Sequence, residues 1–210
     1  MPYAQYFGEM RITPQQRKRR QEMAMTFEEI MLLLLTLIRE QMDVGILTEA
    51  TIKQELTYQL YDVLSETQYF ENDEQKENYI TNFIDETYRS TIENLKKYPN
   101  DFDYTGEENY WISNDRAMYI AENEANTVIN SAEFVEAKER GCTHKIWDVF
   151  PDDRVRMTHL DVYGARIPLD AYFDVGNARL LYPKDVTSEF STGDLHPEEI
   201  IGCRCSLLYV

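Results

Sequence analysis

The residues best suited to chemistry in this 210-residue chain gather near its C-terminal end. All three cysteines and all three histidines lie between positions 142 and 205. Thiolate and imidazole groups are the usual protein ligands of zinc and other soft metals. The clustering indicates either a structural metal site or a compact domain that buries small residues, because cysteine is among the most buried residue types. The six residues are Cys142, His144, His159, His196, Cys203 and Cys205.

Cys203 and Cys205 are the pair with the most informative spacing. If the last eight residues form a strand, alternate side chains point to the same face, so the two thiols would lie together. His159 is then a candidate third ligand of a structural zinc, and Cys142 or His144 could supply the fourth. The spacing differs from that of a zinc finger, in which two close ligand pairs are expected. A Cys203–Cys205 disulfide is not expected, since nothing in the sequence indicates secretion.

A second polar group, between positions 152 and 159, could be catalytic or structural. As an active site, it would supply a carboxylate, a general base and cations for a phosphate. As structure, Asp152 and Arg154 would fix a turn, and Arg156 would pair with an acid such as Glu122 or Glu124. Because no positioned nucleophile or phosphate-binding glycine loop accompanies the group, we favour the structural interpretation and predict no catalytic residue. The members are Asp152, Asp153, Arg154, Arg156 and His159.

Charge is divided unevenly along the chain. The whole sequence has a formal charge of −17, from 38 acidic and 21 basic residues. Residues 1–21 contain five basic residues and one acid and carry +4, so the remainder carries −21. An acidic body argues against broad contact with nucleic acid or an anionic membrane, because phosphate affinity comes from clustered Lys and Arg. The basic end is either a solvated helix start or an electrostatic tail, and its candidates for a DNA contact are Arg17, Lys18, Arg19 and Arg20.

The longest apolar run, Ile30–Ile38, is interrupted by Thr36 and is too short for a membrane span, which needs about 20 residues. Three glutamates separate it from the basic residues, and no small-residue cleavage site follows it. A signal peptide is therefore not expected. The sequence predicts a soluble, cytoplasmic protein that does not enter a membrane.

A helical region is predicted over residues 1–98, ahead of the chemically rich segment. Its apolar residues recur at three- and four-residue spacing, which is typical of amphipathic helices that bury one face. Short helices are marginally stable alone, so about three of them should pack together or on a partner. The first helix is predicted to begin at a capping box formed by Thr26 and Glu29 and to end at Gly45. The second begins at Thr48, and the third extends from Asn72 to Pro99.

Residues 99–113 are expected to form a connection, and residues 114–210 a small α+β domain opened by a long helix. Ser113 or Asn114 would cap this helix, and Gly141 would stop it. Its alanine-rich face predicts close packing against another helix or a sheet. Three short extended segments should follow, at 145–149, near 165–167 and at 203–210.

The segment from Asp115 to Cys205 resembles the Mu F-like phage head morphogenesis domain. The matching pieces occur in the family's order and close with Cys-Arg-Cys. Glu122-Asn123-Glu124 stands where members often have Arg-Thr-Glu, and Gly202 stands where an Asn commonly precedes the Cys-Arg-Cys. The residues that carry the resemblance include Arg116, Glu124, Trp147, Asp152, Arg154, Arg156, His159, Gly164, Cys203, Arg204 and Cys205.

The resemblance implies a structural minor head protein of a tailed phage or prophage. Such proteins join the procapsid in few copies, and some influence DNA packaging or delivery. The expected partners are the portal, major capsid or scaffold protein, and the expected location is the virion head, with the host cytoplasm during assembly. Two alternatives remain: a DNA-binding packaging factor that uses the basic N-terminus, and a nucleic-acid- or nucleotide-processing enzyme that uses Arg154, Arg156 and His159.

Overall fold

The computed structural model describes residues 4–8, 10–66, 68–149 and 152–210. Long helices precede a unit of short strands, so the predicted α+β class with an N-terminal helical region is confirmed. None of the helices in the described ranges is both long and apolar enough to cross a bilayer. The helices are α1 (Ala4–Gly8), α2 (Pro14–Val44), α3 (Glu49–Ser65), α4 (Asp73–Lys97), α5 (Asn114–Glu139), α6 (Met157–Asp161) and α7 (Pro197–Ile200), with a 3₁₀ turn at Tyr110–Ile112.

Two small antiparallel sheets follow α5. Their strands are β1 (His144–Asp148), β2 (Arg166–Pro168), β3 (Phe173–Val175), β4 (Ala178–Leu180) and β5 (Ser206–Tyr209). In the first sheet, β1 lies between β2 and β5, and it pairs Asp148 with Ser206 and Lys145 with Tyr209 on the β5 side. In the second sheet, β3 and β4 form a hairpin.

The start of α2 differs from the prediction, since the helix begins at Pro14 and not at Thr26. Thr13 Oγ1 accepts the Gln16 backbone N–H at 3.2 Å, and Gln16 Oε1 accepts the Thr13 backbone N–H at 2.9 Å. This is a capping box, and Pro14 follows it at a first-turn position that favours proline. Thr26 lies inside the helix, where its hydroxyl donates to the carbonyl of Glu22. The basic segment therefore belongs to the first two turns of α2.

The other predicted helix ends agree with the structure. Thr48, Asn72 and Ser113 cap α3, α4 and α5, each through a side-chain oxygen that accepts a backbone N–H three residues later. Gly45 and Gly141 follow α2 and α5 with left-handed backbones, at φ 70° and 74°, which glycine adopts without strain.

The long helices bury a common hydrophobic core. α5 packs along α2, as its predicted alanine-rich face requires. Ala117, Ala121 and Ala125 are fully buried, and their small side chains let the two backbones approach closely. α3 packs against both α2 and α4. The apolar face of α2 consists of Phe27, Ile30, Met31, Leu34, Leu35 and Ile38.

A second hydrophobic core fills the C-terminal unit, and the last turns of α5 take part in it through Phe134 and Ala137. Trp147 of β1 is fully buried, with its ring centroid 5.0 Å from that of Phe173 in an edge-on arrangement. Gly164 has a left-handed backbone, and its N–H donates to the carbonyl of Trp147 at 2.9 Å. α5 therefore contributes to both cores, and the predicted domain limits at residues 98 and 113 stay predictions.

Candidate functional site

His159, Cys203 and Cys205 come together inside the C-terminal unit. His159 Nδ1 lies 3.1 Å from Cys205 Sγ and 3.6 Å from Cys203 Sγ. One ligand atom from each residue lies within 4.8 Å of the other two. The three residues expose only 1%, 2% and 3% of their surfaces, respectively. We call this group the Cys-His cluster; it unites three of the four residues predicted as metal ligands.

The cysteines are positioned by a turn and not by a strand. β5 begins at Ser206, three residues later than predicted, so both cysteines precede it. The backbone N–H of Cys203 donates to the carbonyl of Ile200, and that of Cys205 donates to Cys203 Sγ at 3.4 Å. This local folding, with α6 supplying His159, brings both thiols against the imidazole.

Cys142 and His144 lie away from the Cys-His cluster. The β1–β5 register pairs Asp148 with Ser206, whereas the backbone of His144 meets Val210 at the other end of the ladder. At 3.2–3.4 Å per residue, five or six residues of strand separate the two ends by roughly 16–20 Å. The structure therefore does not bring Cys142 or His144 into the Cys-His cluster.

Glu199 is a member of the site that the sequence alone did not reveal. Its Oε2 lies 3.2 Å from His159 Nε2 and accepts the Thr158 hydroxyl at 2.7 Å. His159 Nε2 is buried and lies too far off axis to form a hydrogen bond with that carboxylate. Gly176 makes room for Glu199, because a Cβ there would lie 2.1 Å from Oε1. The available signal was the position of Glu199 four residues before Cys203, within the segment from Asp115 to Cys205 that carries the family resemblance.

The charges within the Cys-His cluster influence one another. A hydrogen bond from Cys205 lowers the pKa of the Cys203 thiol well below its ordinary value, despite burial, and raises that of Cys205. Burial lowers the pKa of His159, but its hydrogen bond with Cys203 and the charge of that thiol outweigh burial, so the net pKa is raised. The pKa shifts of Cys203 and His159 thus oppose the shifts that burial alone would cause.

The Asp152 group forms a structural turn. Asp152 Oδ1 accepts the backbone N–H of Arg154 at 3.0 Å, and Oδ2 accepts its guanidinium, as the structural interpretation expects. Arg204 donates to both carboxylate oxygens at 2.9 Å, which ties the turn to the Cys-Arg-Cys segment. Arg156 donates to the carbonyl of Ile201. Residue 151, which directly precedes this group in the sequence, lies outside the described residues.

Two further residues of the family resemblance tie α5 to α4. Arg116 Nη2 donates to the hydroxyl of Ser90 at 3.3 Å. Glu124 Oε2 accepts the hydroxyl of Tyr79 at 2.7 Å. Glu124 is thus held by α4, whereas Arg156 contacts the carbonyl of Ile201.

The four candidate DNA-binding residues have partners within the chain. Arg17 donates to the carbonyl of Phe7 at 3.1 Å. Exposed Lys18 lies 3.5 Å from Glu22, and Arg19 lies 2.8 Å from Glu136. Arg20 is fully buried. A DNA contact through this segment stays a prediction, and Arg20 could join it only by leaving the protein interior.

Arg20 is the centre of a buried polar network between α2 and α5. Its guanidinium donates to both carboxylate oxygens of Glu133, at 2.7 and 2.9 Å. It also donates to the side-chain oxygens of Asn126 and Asn130, at 2.9 and 2.7 Å. A bidentate, charge-assisted pair of this kind fixes geometry as well as contributing energy.

The same two asparagines connect the network to the C-terminal unit. Asn126 Nδ2 donates to the carbonyl of Cys203 at 2.9 Å, and Asn130 Nδ2 donates to the carbonyl of Pro183 at 3.1 Å. The amide oxygens thus face α2 and the amide nitrogens face the loops that precede β5. A buried hydrogen-bonded path therefore runs from Arg20 to the Cys-His cluster.

A cleft of about 1210 Å³ lies between α4, α5 and the loops around α7. Lys184 lines it, and its Nζ donates to the carbonyl of Ile200 at 3.0 Å and to Asn123 Oδ1. Burial lowers the pKa of Lys184 to about 8. The described residues that line this cleft include neither a cysteine nor a histidine. The Cys-His cluster is therefore not presented to a ligand there.

The fold and the site define a small α+β domain that is opened by a long helix, contains a buried Cys-His cluster and is joined to a helical assembly. Comparison with protein families gives a match over residues 85–208 to the family described as Phage Mu protein F like protein. Since the match covers more than half of the chain, the protein belongs to this family of phage head morphogenesis proteins. The match begins inside α4, well before Asp115. No curated protein and no solved structure matches the chain significantly.

Proposed function

We propose that the protein is a structural minor head protein of a tailed phage or prophage, which binds the portal or the inner capsid during head morphogenesis. The observation that carries the proposal is the family match over residues 85–208. The site supports a structural role, because its imidazole and both of its thiols are buried, and Arg154 and Arg156 hold loops in place.

The turn between α2 and α3 supports a protein partner. Met42, Val44 and Ile46 expose 60%, 63% and 78% of their surfaces within five consecutive positions. Neighbouring large apolar side chains that remain exposed are typical of interaction surfaces. We propose that this apolar turn, residues 42–46, contacts the portal or capsid subunit.

The charge of the chain supports the same assignment. A net charge of −17 repels packaged DNA. Binding to the portal or the capsid shell, in contrast, does not require Lys and Arg residues that neutralise phosphates. The protein would therefore be held at the portal or shell by its helical half and kept away from the DNA by its acidic surface.

Co-purification tests the proposal. The chain is co-expressed with tagged portal, major capsid or scaffold protein, and we expect capture by the portal or by assembled procapsids. A Val44→Asp/Ile46→Asp variant should lose capture and keep its melting temperature, because both residues are exposed. Leu208→Asp, at a 51% exposed position on β5, is the matched control and should still bind.

The possible failures can be told apart. Absence of capture by portal, capsid, scaffold and procapsid would contradict the proposed function. Equal capture of the turn variant and the control would retain the function but contradict the assignment of the contact to residues 42–46.

A further inference from the structure

We propose that the Cys-His cluster holds one structural Zn²⁺ through His159 Nδ1 and the two cysteine sulfurs. The proposal concerns the stability of the C-terminal unit, and it is independent of which partner the protein binds. Two thiolates and one imidazole form a donor set that suits zinc. All three side chains are almost completely buried, as the ligands of a structural ion are.

The distances fit a tetrahedral zinc ion. With zinc–sulfur bonds near 2.3 Å and zinc–nitrogen bonds near 2.05 Å, a tetrahedral angle places ligand sulfur and nitrogen about 3.6 Å apart. The separation of His159 Nδ1 from Cys203 Sγ is 3.6 Å. That from Cys205 Sγ is 3.1 Å. A side-chain shift of about 0.5 Å at Cys205 would therefore complete the geometry.

His159 Nε2, the ring nitrogen that would not bind zinc, faces a carboxylate, which is the usual partner of a metal-bound imidazole. Ligating histidines donate their second N–H to a carboxylate, which fixes the tautomer and the ring orientation. Glu199 Oε2 is placed 3.2 Å from Nε2, but the hydrogen bond is not aligned. Binding of zinc at Nδ1 would place the proton on Nε2, and a small ring rotation would direct it to Glu199. Gly176 leaves space for that carboxylate.

One of the two sulfurs accepts a backbone hydrogen bond. The backbone N–H of Cys205 donates to Cys203 Sγ at 3.4 Å. Donors of this kind stabilise ionised acceptors, and zinc is held by thiolates.

Zinc at this position would join segments that are distant in sequence. α6 supplies His159, and the turn before β5 supplies the cysteines, more than forty residues later. The carbonyl of Cys203 also accepts a hydrogen bond from Asn126 of α5. The ion would thus fix the last strand to the rest of the unit.

Metal analysis of the purified full chain tests the proposal. Elemental mass spectrometry should find about one zinc per chain in the wild type and in Cys142→Ser, a matched control at a cysteine outside the cluster. Cys205→Ser and His159→Ala should lose the zinc. Co²⁺ substitution should give the visible absorption bands and thiolate charge transfer of a tetrahedral site. A chelator should lower the melting temperature of the wild type and of Cys142→Ser.

A milder variant covers the case in which a ligand substitution prevents folding. Glu199→Gln keeps the size of the side chain and should weaken zinc affinity by about 10–100-fold in competition with a chromogenic chelator. A folded wild type that contains no zinc, takes up none and is insensitive to chelator would overturn the proposal. So would zinc retained by both ligand variants, or zinc affinity unchanged in Glu199→Gln.

Discussion

Replacement of Arg20 by methionine should cost far more stability than replacement of its neighbour Arg19. Arg20→Met would leave the carboxylate of Glu133 buried, at 5% exposure, with no cation beside it. Removal of one member of a buried ion pair typically costs about 3–5 kcal/mol. A loss of 1 kcal/mol lowers the melting temperature of a protein of this length by about 2–4 °C. The expected decrease is therefore about 6–20 °C.

Arg19→Met is the matched control. It removes a 2.8 Å ion pair between the same two helices, but Arg19 and Glu136 expose 28% and 39% of their side chains. Exposed pairs contribute about 0–1 kcal/mol. Chemical and thermal denaturation, followed by circular dichroism, would compare both variants with the wild type.

A double variant separates the lost ion pair from a general packing defect. Arg20→Met/Glu133→Leu removes both charges and should be more stable than Arg20→Met alone, because no unpaired charge stays buried. Recovery should be partial, since Asn126 and Asn130 still lose donors. Equal melting temperatures for Arg20→Met and Arg19→Met would refute the assignment of Arg20 as the centre of the network.

Three further predictions concern other parts of the chain. Gly193→Ala should be destabilising by about 1–3 kcal/mol, because a Cβ there would lie 2.2 Å from the carbonyl oxygen of Asp185. Gly8→Ala is the control, since a Cβ at Gly8 meets nothing within 4 Å, and thermal denaturation would compare the two variants. Burial lowers the pKa of Lys145 to about 7, from an ordinary 10.5, so this group should make stability rise with pH between 7 and 10.5. The increase in denaturant midpoint that Lys145→Met causes should therefore be larger at pH 7 than at pH 9. An equal increase at both pH values would contradict the lowered pKa. Duplex DNA should show no steeply salt-dependent binding in a filter assay, because Arg20 is buried and its basic neighbours have protein partners.

Local signals predicted the helices of this fold well. Thr48, Asn72 and Ser113 cap their helices because a side-chain oxygen satisfies a backbone N–H within three residues, and such a contact is readable from sequence. The exception is Thr26, which has the same pattern as Thr13 and lies inside α2. Proline at the first helical position distinguishes the real start from the false one.

The candidate site was predictable only in part, because its geometry depends on distant contacts. Residue chemistry selected His159, Cys203 and Cys205, although the strand expected to align the two cysteines begins after them. The sequence could not exclude Cys142 as a ligand, because its distance from the cluster depends on how β1 pairs with β5. Register of this kind is set by the hydrophobic pattern of the strands and by turn geometry, and not by the spacing of cysteines.

The burial of Arg20 is also invisible in the sequence. Four basic residues in a row are usually solvated, and nothing local distinguishes the fourth. Its environment is created by Glu133, Asn126 and Asn130, more than one hundred positions away on α5. From charge alone, Arg20 was a candidate for a DNA contact. In the structure it links α2 to α5 of the family domain.

Quantitative mass spectrometry of purified procapsids tests the central claim most directly. Particles assembled with the wild-type chain, washed free of soluble protein, would be compared with particles from a strain that lacks it. We expect the chain in procapsids at a small, reproducible number of copies relative to the portal. Absence of the chain from both procapsids and mature heads would contradict a role as a structural minor head protein.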